Sequence, residues 1–245
     1  MLWLHGWCWF KLPRMPCVTQ RIMAPSECLL AILTRNPELG QVKTRLAKAI
    51  GKEAALHIYE LLRHRTAEVA QALASERMVF YSNYLPTSDC FSPTHFHYSL
   101  QAGADLGERM HHALASGLTA GFRSVVLIGT DCYDITPEIL QAAFVALERY
   151  EVVIGPATDG GFYLIGMKQP MPHLFFQRKW STSSVLKESC IRLQQAGTKY
   201  ALLKELSDID TLEDLQQSSL WLTPELDALR SLFEEKAAQP TRQQP

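Results

Sequence analysis

The strongest strand signal in this 245-residue chain is the run Val125-Val126-Leu127-Ile128, which ends in Gly129-Thr130-Asp131. A short, wholly apolar run of this kind is typical of a buried parallel strand. The run Leu29-Leu30-Ala31-Ile32-Leu33 has the same character, and Thr136-Pro137-Glu138 has the N-cap, N1 proline and early acid of a helix start. A carboxylate that ends a buried strand is costly unless it is paired or binds a metal. Asp131 is therefore the first candidate site residue.

Strands and helices alternate on both sides of this central strand. The other strand patterns lie at residues 78–81, 96–100, 152–155, 162–166 and 200–203. Helical patterns cover residues 52–73, 106–118, 136–150 and 181–196, and a last helix opens at 210–215. Alternation of this kind predicts an α/β fold with a mostly parallel central sheet and helices on both faces. No repeat or linker divides the chain, so we expect one domain over residues 23–238.

Composition and charge exclude several classes of protein. Lys and Arg number 24 against 25 Asp and Glu, so the net charge of −1 offers no basic excess for a nucleic acid backbone. The hydrophobic fraction of 47% is that of a folded globule rather than a disordered chain. The six cysteines contain no C-x-x-C pair, which argues against a structural zinc site or a disulfide framework. We expect reduced thiols and a cytoplasmic protein.

The two ends of the chain do not conform to this pattern. The apolar run over residues 1–10 is far shorter than the ~20 residues of a membrane helix, and no basic region precedes it. We expect no stable membrane insertion and no signal peptide. We interpret residues 1–22 as an extension outside the domain, with translation starting at Met23; a weak interfacial anchor is the alternative. Residues 239–245 are polar and predict a frayed tail.

Ligands of a parallel sheet bind outside the carboxyl ends of its strands, so the loops there hold the candidate site. Lys43 and Arg45 follow the first strand in a loop that feeds a helix, where two cations suit a diphosphate. They could equally be solvated surface cations, since the loop matches neither G-x-x-x-x-G-K-[ST] nor G-x-G-x-x-G. Asp131 has the chemistry of a Mg²⁺ ligand. Asp159-Gly160-Gly161 allows close approach of a ligand or forms a hairpin turn, and Asp208 or Asp210 could cap the next helix.

Six motifs occur in order along the chain: Lys43-Thr44-Arg45-Leu46, Gln101-x-Gly103-x-Asp105-Leu106-Gly107-x-Arg109-Met110, Gly129-Thr130-Asp131-Cys132, Asp159-Gly160-Gly161-Phe162-Tyr163-Leu164-Ile165-Gly166, Trp180-Ser181-Thr182 and Ser207-Asp208-Ile209-Asp210-Thr211-x-Glu213-Asp214-Leu215. Together they resemble the bacterial rSAM/selenodomain-associated transferase 1 family, within the glycosyltransferase-A superfamily. Some members of that family are called arsenosugar biosynthesis glycosyltransferases. The resemblance covers about residues 29–215. One departure is Tyr133, where the family usually has proline after the Gly-Thr-Asp-Cys segment.

The resemblance implies a single Rossmann-like glycosyltransferase-A domain that binds a nucleoside diphosphate sugar with Mg²⁺ or Mn²⁺. It implies that Lys43 and Arg45 meet the phosphates, that Asp131 and Asp210 hold the metal, and that Asp159 faces the sugar or the acceptor. Asp159 is then the candidate general base, and Asp208 stays open as an alternative metal ligand. Gln101 and Gly103 lie where related nucleotidyltransferases bind the nucleobase. The other expected substrate-binding positions are Arg35, Thr130, Gly160 and Gly161.

Three functions compete at this point. Glycosyl transfer to a small-molecule acceptor leads, because metal and cations would stabilise the departing nucleoside diphosphate. Nucleotidyl transfer from a nucleoside triphosphate to a phosphorylated small molecule is the alternative, since the same fold does both and the K-[ST]-R-L segment also resembles guanylyltransferases of the phospholactate type. A non-catalytic nucleotide-sugar binder is disfavoured by the two candidate metal carboxylates. Fold alone does not decide between them, and the oligomeric state stays open.

Overall fold

A computed structural model describes residues 25–238 of the chain. The interpretations of residues 1–22 and 239–245 therefore concern parts of the chain outside the described residues. Between residues 25 and 238, no helix is both long enough and apolar enough to cross a membrane.

The core of the molecule is one seven-stranded sheet with the strand order β3-β2-β1-β4-β6-β5-β7. The strands are β1 Cys28–Thr34, β2 Glu76–Tyr81, β3 His97–Leu100, β4 Ser124–Ile128, β5 Val152–Pro156, β6 Phe162–Met167 and β7 Tyr200–Leu202. Strand β6 runs antiparallel to β4 and β5, and every other pair is parallel. The predicted mostly parallel α/β sheet is confirmed.

Helices cover both faces of this sheet, as the strand sequences require. The helices are α1 Thr44–Ile50, α2 Lys52–Gln71, α3 Leu106–Thr119, α4 Pro137–Arg149, α5 Val185–Gln195, α6 Leu212–Gln217 and α7 Asp227–Ala238. Alternate residues of β1 point to opposite faces: Leu30 and Ile32 pack with α2 and α4, whereas Leu29 and Ala31 pack with α3. Wholly apolar strands are therefore the right sequence for this position.

Two helix boundaries differ from the sequence predictions. The helix expected from residue 181 begins at Val185, because Ser181 has the left-handed φ of 60° and cannot lie in an α-helix. Arg45 was expected in a loop but lies in the first turn of the short helix α1. The N-terminus of α4 is confirmed: Thr136 accepts a hydrogen bond from the Ile139 N–H, and Pro137 occupies the first turn.

Backbone hydrogen bonds fix the loops at the carboxyl edge of the sheet. The turn between β5 and β6 holds the segment after β7, since the Thr158 N–H donates to the Leu206 carbonyl at 3.0 Å. Further along the same segment, the Ile209 N–H donates to the Asp131 carbonyl at 2.9 Å. These bonds bring the residues on either side of Ile209 next to the end of β4. Asp131 and Asp210, which are 79 positions apart in the sequence, thus become neighbours.

Candidate functional site

A cleft of about 830 Å³ opens at the carboxyl edge of the sheet. Most of the residues predicted for the site line it: Arg35, Lys43, Arg45, Gln101, Thr130, Asp131, Asp159, Gly161 and Asp210. Gly103 and Gly160 are not among its lining residues. The rule that ligands bind beyond the carboxyl ends of the strands therefore places nine of the eleven predicted residues in one cleft.

Lys43 lies at the centre of the charged wall of this cleft. Its side chain is only 3% exposed, and its Nζ donates to Asp131 Oδ1 and, at 3.0 Å, to Asp210 Oδ1. Arg45 Nη1 lies 3.9 Å from the other oxygen of Asp210. Burial by itself would lower the pKa of Lys43, but the two carboxylates outweigh it and raise that pKa well above its usual value. Lys43 is therefore a charged ammonium that is paired with two carboxylates in this structure.

The same two carboxylates are the predicted metal ligands. Among the described residues there is no group of three His, Cys, Asp or Glu side chains arranged around a metal position. Mg²⁺, however, often takes only one or two protein carboxylates and completes its shell with water and substrate phosphates. Asp131 and Asp210 each direct an oxygen at one positive group, which here is the Lys43 ammonium. The donor set thus fits a divalent cation at the position that this ammonium fills.

Asp208 is a further carboxyl group in this wall. Burial, together with the negative charge of Asp131, raises the pKa of Asp208 to about 7, and Lys43 opposes that rise. Asp159 and Asp210 also act to raise it, so three other aspartates lie within electrostatic reach of Asp208. Such a concentration of negative charge is costly without cations, and it is typical of a functional site.

Asp159 lies on the turn between β5 and β6, exposed at the cleft. Its Oδ1 accepts a hydrogen bond from the Gly161 N–H at 2.8 Å, which orients the carboxylate. Gly160 has a φ of 87°, and a Cβ built there would lie 2.1 Å from the Ser183 carbonyl oxygen. Gly160 therefore allows the turn to pack against the segment before α5, and this packing, rather than ligand contact, explains the glycine.

Gln101 and Gly103 make contacts within the protein. Gln101 Nε2 donates to the Thr34 carbonyl at 2.9 Å and the Phe80 carbonyl at 3.0 Å, so the amide is fixed against β1 and β2. Gly103 has a φ of 135° and its carbonyl accepts from Arg109 Nε at 3.1 Å. Gln101 braces the cleft floor, whereas Gly103 shapes the approach to α3.

Some residues of the cleft carried no functional signal in the sequence. Tyr59, which the helical pattern of α2 assigns only to the core, receives the Arg35 N–H on its hydroxyl at 2.9 Å and lies 3.4 Å from Thr130 Oγ1. It therefore ties the ends of β1 and β4 together beneath the cleft. Trp180 and Ser181 also line the cleft, although the sequence motif that contains them predicts no role for either residue.

The mostly parallel sheet and the cleft at its carboxyl edge define an α/β protein with a ligand site beyond its strands. Solved structures with the same fold were found by comparison with this chain. The chain is similar to a protein from Desulfovibrio desulfuricans G20, described as a candidate nucleotide-diphospho-sugar transferase, with 30% identity, a TM-score of 0.76, and 86% of this chain and 96% of that chain covered. A 4-diphosphocytidyl-2C-methyl-D-erythritol synthase shares the fold at 10% identity and a TM-score of 0.50, with 80% of this chain and 98% of that chain covered. No curated protein sequence matches.

The family follows from these similarities. The family profile described as "Uncharacterized protein conserved in bacteria (DUF2064)" matches residues 65–182. The similarity to the Desulfovibrio protein extends over nearly the whole of that chain. The chain belongs to the DUF2064 family and has the fold of nucleotide-diphospho-sugar transferases.

Proposed function

We propose that this protein is a metal-dependent glycosyltransferase that moves a sugar from a nucleoside diphosphate sugar to a small-molecule acceptor. The observation that carries the proposal is the meeting of Lys43, Asp131 and Asp210 in a cleft at the carboxyl edge of the sheet. Cationic and carboxylate groups at one place are what a diphosphate and its divalent cation require. The similarity to a candidate nucleotide-diphospho-sugar transferase supports the same class of donor.

The cations of the cleft bind the diphosphate in this proposal. Arg35 and Arg45 are exposed and line the cleft. Arg35 Nη1 donates to the Gln41 carbonyl at 3.4 Å, and this bond orders the loop between Arg35 and Gln41. Asp131 and Asp210 would hold Mg²⁺ or Mn²⁺, which would supply positive charge to the departing diphosphate. Fixed positive groups stabilise this leaving group because negative charge develops there during transfer.

Asp159 acts as the general base on the acceptor. The acceptor hydroxyl oxygen forms a bond to the anomeric carbon of the sugar as the bond from that carbon to the diphosphate breaks. The hydroxyl proton passes to the Asp159 carboxylate, and the nucleoside diphosphate leaves with the bonding electron pair. The exposed position of Asp159 and its bond to the Gly161 N–H suit this role, since the carboxylate is both oriented and accessible to a substrate.

We also propose that the chain belongs to the rSAM/selenodomain-associated branch that its six motifs resemble. Tyr133, the departure from that pattern, packs beside α2, where the Arg65 guanidinium lies 5.7 Å from its ring centroid. It also belongs to the apolar cluster around α1, α2 and α6. Tyr133 thus lies behind the Asp131 loop and not in the cleft, which is compatible with the proposed activity.

Incubation with Mg²⁺ or Mn²⁺ and separate panels of nucleoside diphosphate sugars and nucleoside triphosphates tests the function. We expect a nucleoside diphosphate to be released in the presence of an acceptor, with Asp131→Asn inactive but folded. Asp134→Asn is the matched control, because Asp134 lies in the same loop, outside the cleft lining, and accepts from Ser219 Oγ. Release of pyrophosphate would instead establish nucleotidyl transfer, and full turnover by Asp131→Asn would refute the metal role.

A further inference from the structure

The backbone of Lys43 is held in an unfavourable conformation at the cleft. Its φ and ψ of 46° and 43° are left-handed, and only Gln177 and Ser181 share a positive φ among the non-glycine residues that the structure describes. The left-handed conformation is unfavourable for a residue that carries a Cβ, so the surroundings of Lys43 must hold it there. Its ammonium donates to Asp131 and Asp210, and its backbone carbonyl accepts the Ala47 N–H at 2.8 Å as the N-cap of α1.

The place that this ammonium fills is the place where a divalent cation would bind. Asp131 and Asp210 are each nearly half exposed, whereas the lysine side chain between them is almost wholly buried. A cation that arrives from solvent can reach the carboxylate oxygens, but it meets a positive charge already bound to them. Two cations at these oxygens would repel each other at short range, and this repulsion opposes the attraction of each cation to the carboxylates.

We propose that Lys43 is a built-in counter-ion that closes the cation site of the donor-free protein, and that its ammonium and the divalent cation occupy the Asp131–Asp210 pair in turn. The ammonium transfers to the diphosphate when the donor and its cation bind together. The identity of the donor in this inference rests on the proposed function. The competition between the ammonium and the divalent cation for the two carboxylates does not.

Charge balance favours this exchange over simple loss of the lysine. Without the ammonium, Asp131 and Asp210 would lie near the buried Asp208. Among the described residues, the ion-pair partner left to them is Arg45, which is 3.9 Å from one oxygen of Asp210. A divalent cation neutralises the two carboxylates. The released ammonium, on its flexible four-carbon stem, then offsets part of the negative charge of the diphosphate. The metal-free state and the state with both metal and diphosphate thus keep the charges of Lys43, Asp131 and Asp210 paired, whereas metal without a diphosphate leaves Lys43 with no partner.

Measurement of Mn²⁺ binding without nucleotide distinguishes this proposal from the alternative that Lys43 only binds phosphate. We expect Lys43→Met to bind Mn²⁺ at least about tenfold more tightly than the wild type, measured by isothermal titration, because the competing charge is gone. Lys48→Met is the matched control: it removes an exposed lysine of α1, the helix that follows Lys43, and should leave the Mn²⁺ affinity unchanged. Equal or weaker Mn²⁺ binding by Lys43→Met overturns the proposal.

The wild-type protein provides a second measurement that does not depend on the folding of any variant. Lys43 should be protected from an amine-acylating reagent in metal-free buffer, since its side chain is 3% exposed. Saturating Mn²⁺ should increase its acylation relative to that of Lys48, and added nucleoside diphosphate should restore protection. A Lys43 rate that Mn²⁺ leaves unchanged overturns the exchange. Nucleotide binding, followed by thermal shift, tests the proposed function separately.

Discussion

At the scale of single residues, the buried ion pair between Arg63 and Asp89 lies next to Thr34, which lines the cleft. Arg63 and Asp89 have side chains only 3% and 6% exposed, and Arg63 Nη2 donates to Asp89 Oδ2. The Tyr81 hydroxyl donates to the same oxygen at 2.6 Å, and Arg63 Nε donates to Thr34 Oγ1 at 3.2 Å. Because Thr34 lies at the end of β1 in the cleft, this pair connects the protein interior to the site.

We expect Asp89→Asn to reduce the free energy of unfolding by about 3–5 kcal/mol, because it leaves the Arg63 guanidinium buried without a counter-ion. Urea denaturation of the purified variant measures this loss. The double variant Arg63→Met with Asp89→Leu should recover much of it, since neither charge then remains. A loss below about 1 kcal/mol in the single variant would show that the pair does not hold the two segments together.

The dependence of the unfolding free energy on pH in the acid range provides a further test of the role of Asp89. Burial alone would raise the pKa of Asp89, but the hydrogen bond from Tyr81 and the charge of Arg63 outweigh it and lower that pKa. The unfolded chain therefore takes up the proton first as the pH falls. The contribution of Asp89 is complete above its unfolded pKa of about 3.9 and is lost as the pH falls through the lower folded value. Asp89→Asn should make the unfolding free energy less dependent on pH in that range.

At the scale of elements, α3 carries part of the cleft wall and packs unusually close to the sheet. A Cβ built on Gly117 would lie 2.6 Å from Leu29 Cδ2 and 2.9 Å from Val125 Cγ2. Asp105 caps the opposite end of the helix, where its side chain accepts from the Glu108 N–H, and Arg109 in the first turn lines the cleft. The depth of Gly117 on the sheet thus determines where this wall lies.

Gly117→Ala should therefore destabilise the protein by about 1–3 kcal/mol, because the added methyl group overpacks the interface between α3 and the sheet. His112→Ala, at an exposed position of the same helix, should change the unfolding free energy by no more than about 0.5 kcal/mol. Thermal or urea unfolding distinguishes the two variants. Equal stability of Gly117→Ala and the wild type would mean that α3 can shift on the sheet without cost.

The elements also explain which boundaries the sequence could predict. Thr136-Pro137-Glu138 predicted the start of α4 correctly, because capping chemistry is local to those residues. The start of α5 was placed too early, at Ser181, because the polar run 181–184 offers several equivalent caps. The backbone of this run packs closely against Gly160 of a distant turn, whose carbonyl accepts the Leu186 N–H at 2.9 Å. Local patterns do not contain such contacts.

At the scale of the whole molecule, topology predicted the cleft better than it predicted the contacts within it. Lys43, Asp131 and Asp210 follow different strands, and the carboxyl-edge rule brought them together correctly. That Lys43 bridges the two carboxylates depends on how far its side chain reaches from a left-handed backbone. The sequence carries no signal for that reach. The Tyr59 hydroxyl was missed for a similar reason, since a tyrosine at a core position of a helix looks purely apolar.

The same topology predicts how the molecule opens. Strands β4 and β5 are buried at every position, whereas the edge strands β3 and β7 are short and partly exposed. Opening free energies should therefore be largest in the central strands and smallest at the two edges. Amide hydrogen exchange with mass spectrometry should show β4 exchanging only through global unfolding. Added Mn²⁺ and nucleoside diphosphate should slow exchange in the loops at residues 35–43 and 181–184, and leave β3 unchanged. Equal protection of β3 and β4 in the free protein would contradict this order of opening.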